Sequence, residues 1–176
     1  MKIFMQTSVY LFVAGLLLAT LGFQGAASAS TDTNTLQGRW ILSDGSAVID
    51  VTPGEDDETL TGTIVGLLRH TFSPIDGYGS PGTPRVDINN PDASLKQRSV
   101  IGLEIMPELV ANGDHWRGHI YDPRTGRSYR CVISMEGNDL VHIRAYVGPS
   151  LFGRSMYWQR LDSFRDEMQA LLANVA

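Results

Sequence analysis

The chain has 176 residues and a formal net charge of −5, with 14 basic and 19 acidic side chains. A mildly acidic chain with scattered arginines argues against a nucleic-acid-binding role. The single cysteine, Cys131, rules out an internal disulfide, and its place in the strand-like stretch RCVIS favours a buried thiol over a nucleophile.

An N-terminal export signal is predicted over residues 1–29. Lys2 supplies a positive start, residues 9–21 are almost all apolar, and Ala27-Ser28-Ala29 has the small-x-small pattern of a cleavage site. We expect cleavage after Ala29 and a periplasmic or secreted protein without a membrane span. The alternative is a retained N-terminal anchor, for which the apolar stretch is short. Removing 29 of the 176 residues leaves 147, enough for one domain.

Eight segments after Leu36 alternate polar and apolar residues with the period of two that is typical of β-strands. Turn residues separate these segments, beginning with Asp44-Gly45, a dipeptide that favours a tight hairpin. Because all links but one are short, sequential strands are expected to pair antiparallel. The predicted strands are residues 38–43, 46–51, 60–68, 100–109, 115–121, 127–135, 140–147 and 154–161.

Eight antiparallel strands without crossover helices predict an all-β fold, an up-and-down barrel that closes on itself and leaves no sheet edge exposed. Residues 30–161 are predicted to form this barrel domain. Residues 162–176 are predicted to form an α-helix packed on the barrel, with Asp162 as its cap. The apolar face of this helix is predicted from the spacing of Phe164, Met168, Leu171 and Leu172.

The long link between the third and fourth predicted strands, residues 69–99, is rich in proline and glycine. Loops of this length in a compact domain usually carry function or are disordered. Asn90, Pro91 and Asp92 resemble a helix cap followed by proline at the first helical position. They predict a short helix over residues 93–98.

The stretch Asp122-Pro123-Arg124-Thr125-Gly126 carries a carboxylate and a hydroxyl and at first resembles a catalytic loop. Between two predicted strands, however, Asp122 and Pro123 fit the first two positions of a type I turn, and Gly126 fits a following left-handed residue. We therefore predict a hairpin that sets strand register, in which the Asp122 carboxylate bonds its own turn.

Gly38-Arg39-Trp40 opens the first predicted strand, and Trp158-Gln159-Arg160 closes the last. In a closed barrel these strands are neighbours, so Arg160 is expected to stack on the Trp40 indole. An early Gly-x-Trp with an arginine on the final strand is similar to the signature of the lipocalin and calycin superfamily. The resemblance implies that Gly38, Trp40 and Arg160 plug one end of the barrel.

Three stretches of the second half are NNPDASLKQRSVIGLEI, WRGHIYDPRTGRSY and RAYVGPSLFGRSMYWQR. Together they resemble the bacterial exported family called domain of unknown function 2147, which implies a calycin-like barrel and brings no established activity. Ala145 departs from that family's usual glycine, which suggests that no positive φ is required there. The matching positions are Asn90, Pro91, Asp92, Ile101, Gly102, Leu103, Gly118, Ile120 to Pro123, Gly126, Tyr129, Arg144, Tyr146, Val147, Gly148, Leu151 to Arg154, Trp158 and Arg160.

The more apolar face of each strand is assigned to the barrel interior. This interior encloses just enough space for one small ligand, or for packed side chains alone. The residues assigned to it are Trp40, Leu42, Ile49, Val51, Ile64, Trp116, Ile120, Tyr129, Cys131, Ile133, Val141 and Ile143.

Ligand contacts are expected from Trp116, Tyr129, Arg144, Tyr146 and Trp158. Alternation leaves the orientation of Arg144 open. Pointing inward, Arg144 would need a partner or an anionic ligand group, whereas pointing outward it would pair with a surface acid. The structural role is favoured because a buried charge is costly.

No metal, cofactor or catalytic site is predicted. His115 and His119 form an H-x-x-x-H pattern, but on a strand such side chains lie roughly 13 Å apart, too far for one zinc ion. They are expected to face water while Trp116 and Ile120 face inward. No nucleophile elbow and no glycine-rich phosphate loop occurs in the sequence.

The leading functional hypothesis is an exported binding protein that takes a small apolar or amphipathic molecule into its barrel. The alternative is an interaction module for an envelope protein or polymer, in which the 69–99 loop is the contact surface and the barrel is solid. An enzyme with a pocket at the barrel mouth is the third possibility. The sequence indicates neither the ligand nor the oligomeric state.

Overall fold

The computed structural model describes residues 36–56 and 58–173, so the predicted export signal, residues 1–29, lies outside the described residues. The described part of the chain forms eight strands that pair sequentially and antiparallel, and the last strand pairs back with the first. The predicted closed up-and-down barrel is confirmed. Its elements are β1 (Gly38–Leu42), β2 (Ala47–Pro53), β3 (Thr59–Leu67), β4 (Glu104–Asn112), β5 (His115–Asp122), β6 (Arg127–Met135), β7 (Leu140–Tyr146), β8 (Arg154–Arg160) and α1 (Leu161–Ala173).

The core of the molecule is the barrel interior, filled by alternate residues of the strands. Of the twelve residues assigned to the interior, Leu42 and Tyr129 are half-buried and the others are buried. The packing is close: a Cβ added at Gly62 would lie 2.2 Å from Cε of Met106. This part of the interior therefore holds side chains in van der Waals contact.

A β-bulge in β3 changes which residues of that strand face inward. Ile49 of β2 lies opposite Ile64, but the preceding residue, Val48, lies opposite Gly66, so Val65 is an extra residue. Such a bulge reverses the alternation beyond it. Leu67 consequently lies opposite Ala47 and faces the interior.

The predicted fourth strand, residues 100–109, was placed too early. Gly102 has a φ of +87°, which ends the extended conformation, and the backbone N–H of Leu103 donates to the carbonyl of Val100 at 3.2 Å. Val100 and Leu103 are buried from a turn. The residues that predicted a strand here are therefore apolar because they are buried, not because they belong to a strand.

The short helix expected over residues 93–98 is a single 3-10 turn, Ala93–Leu95. Its cap is Asp92, whose Oδ1 accepts from the backbone N–H of Ser94, so Asn90 and Pro91 precede the helix instead of starting it. Asn90 instead accepts from the N–H of Asp92 through Oδ1 at 2.8 Å. A second 3-10 turn, Pro74–Asp76, lies earlier in the same loop.

The helix α1 begins at Leu161, directly after β8, and contacts β1 and β8. Phe164 of its expected apolar face is half-buried, whereas Met168, Leu171 and Leu172 are exposed. Only the first turn therefore packs closely, because every residue from Arg165 to Ala173 is exposed. Among the described helices, none is long and apolar enough to cross a membrane.

The two ends of the barrel differ in their connections. At one end, which we call the Trp40 end, β1 begins and β8 finishes, and the turns 54–58, 113–114 and 136–139 are short. At the other, the loop end, lie the connections 43–46, 68–103, 123–126 and 147–153. The long loop is tied by isolated bridges between Thr71 and Pro84 and between Val86 and Ser99.

Candidate functional site

The Trp40 end is sealed by a stacked pair. Trp40 is fully buried, and its indole Nε1–H donates to the carbonyl of Leu36 at 2.9 Å. The Arg160 guanidinium carbon lies 4.3 Å from the Trp40 ring centroid, and Nη1 of Arg160 donates to the carbonyl of Gln37 at 3.1 Å. Gly38 leaves room for this arginine, because an added Cβ would be 2.9 Å from Nη1. The structure thus brings Gly38, Trp40 and Arg160 together.

Two further tryptophans, Trp116 and Trp158, face the interior and are buried. The indole N–H of each lies in the core without an acceptor among the described residues. Nearly all buried polar groups in folded proteins have a hydrogen-bond partner, and leaving one unpaired costs about 1–3 kcal/mol. Both tryptophans were predicted from the sequence to contact a ligand, and their indole N–H groups are buried donors without an acceptor among the described residues.

Towards the loop end the interior becomes accessible. Leu42, Leu67, Tyr129 and Met156 pack against the core but are only half-buried. The same face of β7 carries the small residue Ala145. These side chains form a partly accessible apolar rim at the loop end, although half-buried Ala111 and Met135 pack against the core near the Trp40 end as well.

Arg144 and Tyr146 lie on the opposite face of β7 from its buried residues, so they point outward. Arg144 donates from Nη2 to the carbonyl of Leu151 at 3.0 Å and from Nη1 to Oγ of Ser155 at 3.2 Å. Alternation places Val141, Ile143 and Ala145 inside, which leaves these two outside. The five predicted ligand contacts therefore do not form a single site. Arg144 has the outward position that the sequence favoured, but these two contacts are with a carbonyl and a hydroxyl instead of the expected surface acid.

A buried polar network fastens the long loop to the barrel wall. Asp87 is fully buried, and its Oδ2 accepts from Nε and Nη2 of Arg98 at 2.9 and 2.8 Å. Asn90 donates from Nδ2 to the same oxygen at 2.7 Å, and the Tyr121 hydroxyl donates to Oδ1 at 2.6 Å. Partial desolvation and this bond to a carboxylate raise the pKa of Tyr121 to about 12. The network joins loop residues to β5.

The hairpin between β5 and β6 has the predicted turn chemistry. The Asp122 carbonyl accepts from the N–H groups of Thr125 and Gly126, and Oδ1 accepts from the N–H of Arg124 at 2.9 Å. Gly126 is left-handed, with a φ of +66°. The carboxylate that suggested catalysis is engaged in its own turn.

This hairpin also holds the long loop. Asn89 donates from Nδ2 to the carbonyl of Arg124 at 2.9 Å, and a Cβ added at Gly126 would lie 1.9 Å from the carbonyl oxygen of Asn89. Asn90 and Asp92, which match the family motif, lie in the long loop directly after Asn89. The two motifs that are distant in sequence therefore form one structural joint.

A cleft of about 390 Å³ lies beside this joint, on the outside of the barrel between the long loop and strands β4 to β6. It combines charged and apolar groups, and its volume is within the range of small-molecule sites. The residues that line the cleft are Asn90, Pro91, Arg98, Glu104, Ile105, Pro107, His119, Tyr121, Gly126 and Ser128.

Sequence reasoning missed Asp87, Arg98 and the cleft. Asp87 lies in a polar stretch of the loop, and its partner Tyr121 is far along the chain. The one available signal was the Asn90-Pro91-Asp92 motif, in which Asn90 bonds Asp87 and Tyr121 while Asp92 caps the 3-10 turn that follows.

Cys131 and His115, two of the residues considered for catalysis or metal binding, are respectively buried and hydrogen-bonded to neighbouring side chains. Cys131 is buried, and desolvation raises the pKa of its thiol to about 12. His115 bonds Asp114 through Nδ1 at 2.9 Å and accepts from Nε of Arg117 at 2.9 Å. Across the described ranges, no three His, Cys, Asp or Glu side chains are grouped to hold a metal ion.

The sequence model of the family described as "Uncharacterized protein conserved in bacteria (DUF2147)" matches residues 38–160, more than half of the chain. The chain belongs to this family. The matched residues of this DUF2147 protein begin at the glycine beneath Arg160 and end at Arg160 itself. They therefore coincide with the closed barrel.

Among solved structures, the DUF2147 chain is similar to protein HP1028 from Helicobacter pylori, described as belonging to the lipocalin family. The TM-score is 0.56 at 17% sequence identity, over 72% of this chain and 82% of that one. The likeness supports a lipocalin-like barrel fold. A search of curated proteins found no match.

Proposed function

We propose that this DUF2147 protein is an exported binding protein that takes one small amphipathic molecule into its barrel through the loop end, with the polar group of the molecule lying deeper, towards Trp158 and Trp116. The export signal predicted in residues 1–29 supports a periplasmic or secreted location. The fold supports a binding role, since eight-stranded barrels of this type hold small ligands in their interior. The two buried indole N–H groups of Trp116 and Trp158 carry the proposal.

The chemistry of the ligand follows from the side chains around it. Leu42, Leu67 and Met156 offer an apolar, partly accessible wall towards the loop end. The indole groups offer hydrogen-bond donors without acceptors among the described residues. A molecule with an apolar chain and a carboxylate, carbonyl or hydroxyl oxygen satisfies both, whereas a purely apolar molecule leaves the donors unpaired.

The test is titration with a fluorescent fatty acid, after native mass spectrometry of the purified protein for any molecule that remains bound. Trp116→Phe and Trp158→Phe keep an apolar ring but remove one donor each. Loss of a hydrogen bond worth about 1 kcal/mol predicts about five- to tenfold weaker binding for each variant. His119→Ala, in the outer cleft, is the control and should bind as the parent does. Absence of both bound ligand and probe binding would overturn the proposal.

A second candidate is the outer cleft as the binding site on a solid barrel, which the 390 Å³ volume beneath the long loop favours. In that case Glu104→Gln and His119→Ala, which change exposed cleft residues, should weaken probe binding. The two tryptophan variants should then have no effect. The same set of four variants therefore distinguishes the two sites.

A further inference from the structure

The connection between β7 and β8 presents large apolar side chains to water. Val147, Leu151 and Phe152 are 67%, 79% and 77% exposed. Leu151 and Phe152 are adjacent in a 3-10 turn at the tip of the connection. Burying a leucine or phenylalanine side chain stabilises by about 1.5–3 kcal/mol, so exposing this group is unfavourable unless another apolar surface covers it.

The tip is held in this position by the barrel. Nη2 of Arg144 donates to the carbonyl of Leu151 at 3.0 Å, and the N–H of Phe152 donates to the carbonyl of Pro149 at 3.2 Å. Gly153 packs so closely that an added Cβ would lie 2.7 Å from the carbonyl oxygen of Ala145. The outward position of Leu151 and Phe152 is therefore built into the fold.

The strand topology brings further exposed apolar side chains to the same end. Leu68 follows β3, bonds the 43–46 turn through its N–H to the carbonyl of Ser46 at 3.0 Å, and is 72% exposed. Ile75, in the long loop, is 80% exposed. The loop end thus carries several exposed apolar side chains on the connections that join its strands.

Charge is distributed unequally between the two ends. The Trp40 end carries three exposed arginines, Arg39, Arg117 and Arg165, which lie on its strands and on α1. They are outnumbered by exposed acids in its turns: Glu55, Asp56, Glu58, Asp114, Glu136 and Asp139. The loop end carries exposed arginines: Arg69, Arg124, Arg127 and Arg154. Asp76, Asp87 and Asp122 at the loop end are paired with arginines, Asp122 with Arg124, while Asp44 and Asp92 are further exposed acids at this end.

We infer that the loop end docks on an anionic lipid surface, with Leu151 and Phe152 inserted among the lipids and the arginines facing the headgroups. Interfacial binding grows with buried apolar area and with attraction between basic residues and anionic lipids. A chain with a net charge of −5 is repelled by such a surface overall. The acidic Trp40 end must therefore point away, which fixes the orientation and presents the loop end to the lipids.

The experiment is flotation of the purified protein with vesicles of phosphatidylglycerol and phosphatidylcholine in equal parts, and with phosphatidylcholine alone. We expect binding to the anionic vesicles that weakens as salt is added. The double variant Leu151→Ser and Phe152→Ser should reduce partitioning roughly tenfold or more, because two large apolar side chains no longer insert. Val110→Ser, which changes an exposed strand residue outside the loop end, should bind as the parent does.

Insertion itself is measured with Phe152→Trp, whose added indole should shift its emission to the blue with anionic vesicles and be quenched by brominated acyl chains. Binding that is unchanged in the Leu151→Ser and Phe152→Ser variant, or insensitive to salt, would overturn the inference. A dimer in analytical ultracentrifugation that this double variant abolishes would do so as well, since a second copy would then be the occupant. Trp116→Phe should leave flotation unchanged, which separates docking from ligand binding in the barrel.

Discussion

Arg160 is the residue that links most parts of the Trp40 end. Its guanidinium covers the Trp40 ring, and it donates to carbonyl groups of Gln37 and Asn138. It also lies 3.3 Å from the Asp139 carboxylate. A single side chain therefore joins the start of β1, the end of β8 and the turn between β6 and β7.

We predict that Arg160→Ala lowers the free energy of unfolding by about 2–3 kcal/mol. The loss combines a stacked cation–π contact of about 0.5–1 kcal/mol, since the Arg160 side chain is partly exposed, with two hydrogen bonds worth about 1 kcal/mol each. Urea denaturation followed by tryptophan fluorescence measures it. Arg39→Ala is the matched control, because Arg39 lies on the outer face of β1 and forms an exposed 3.7 Å ion pair with Asp50. Equal effects of the two variants would contradict the role of Arg160.

At the scale of elements, the long loop and the β5–β6 hairpin depend on each other. The hairpin turn could use any residue that tolerates a left-handed backbone, but only glycine at position 126 leaves space for the Asn89 carbonyl. The loop in turn is fixed to β5 through Asp87 and Tyr121. Both elements need to be in place for the outer cleft to form.

We therefore predict that Gly126→Ala releases the loop from the barrel. Gly126 and Gly113 both have a φ of +66°, but an added Cβ meets the Asn89 carbonyl at 1.9 Å in the first case and nothing within 4 Å in the second. Gly113→Ala should cost about 1–2 kcal/mol from the left-handed backbone alone. Gly126→Ala should cost more and should increase protease cleavage within residues 74–84. Equal cleavage of the two variants would show that the joint does not hold the loop.

The strands were predictable because each buries one face, so polar and apolar residues alternate along it. The start of β4 was not, since Val100 and Leu103 are buried from a turn and give the same apolar signal as a strand. The bulge at Val65 was also hidden, because one extra residue changes orientation without changing composition.

The candidate site was predictable to a smaller extent. Trp116 lies on a clearly apolar strand face and was placed inside correctly, whereas Trp158 shares its strand face with Arg154 and Arg160 and was predicted only as a ligand contact. Arg144 could not be oriented, because the strand alternation that places it outside depends on pairing with β6 and β8. Asp87 bonds a tyrosine 34 positions away, and a contact at that separation has no signal in a single sequence.

At the scale of the whole molecule, the closed barrel joins every strand to two neighbours, so no strand can separate without opening the interior. Cys131 lies in the centre of β6, is 1% exposed, and has β5 and β7 on either side. Its thiol therefore reports on opening of the barrel as a whole. The same burial raises its pKa from 9.0 to about 12. The thiol thus favours the folded state below about pH 9, and this contribution is lost as the pH rises from about 9 towards about 12.

We predict that the Cys131 thiol of the native protein reacts with a disulfide reagent about a thousandfold or more slowly than in urea. That factor corresponds to the smallest stability usual for a domain, about 5 kcal/mol. If reaction requires global unfolding, Arg160→Ala should accelerate it by the factor that its loss of unfolding free energy implies, about 30- to 150-fold for 2–3 kcal/mol. Gly126→Ala is informative in the same assay, because release of the long loop should leave the β5–β6–β7 pairing intact. The rate of thiol reaction in Gly126→Ala should rise only by the factor that corresponds to its loss of unfolding free energy in urea. A larger increase in rate would show that the reagent reaches the thiol from the loop end without unfolding of the barrel.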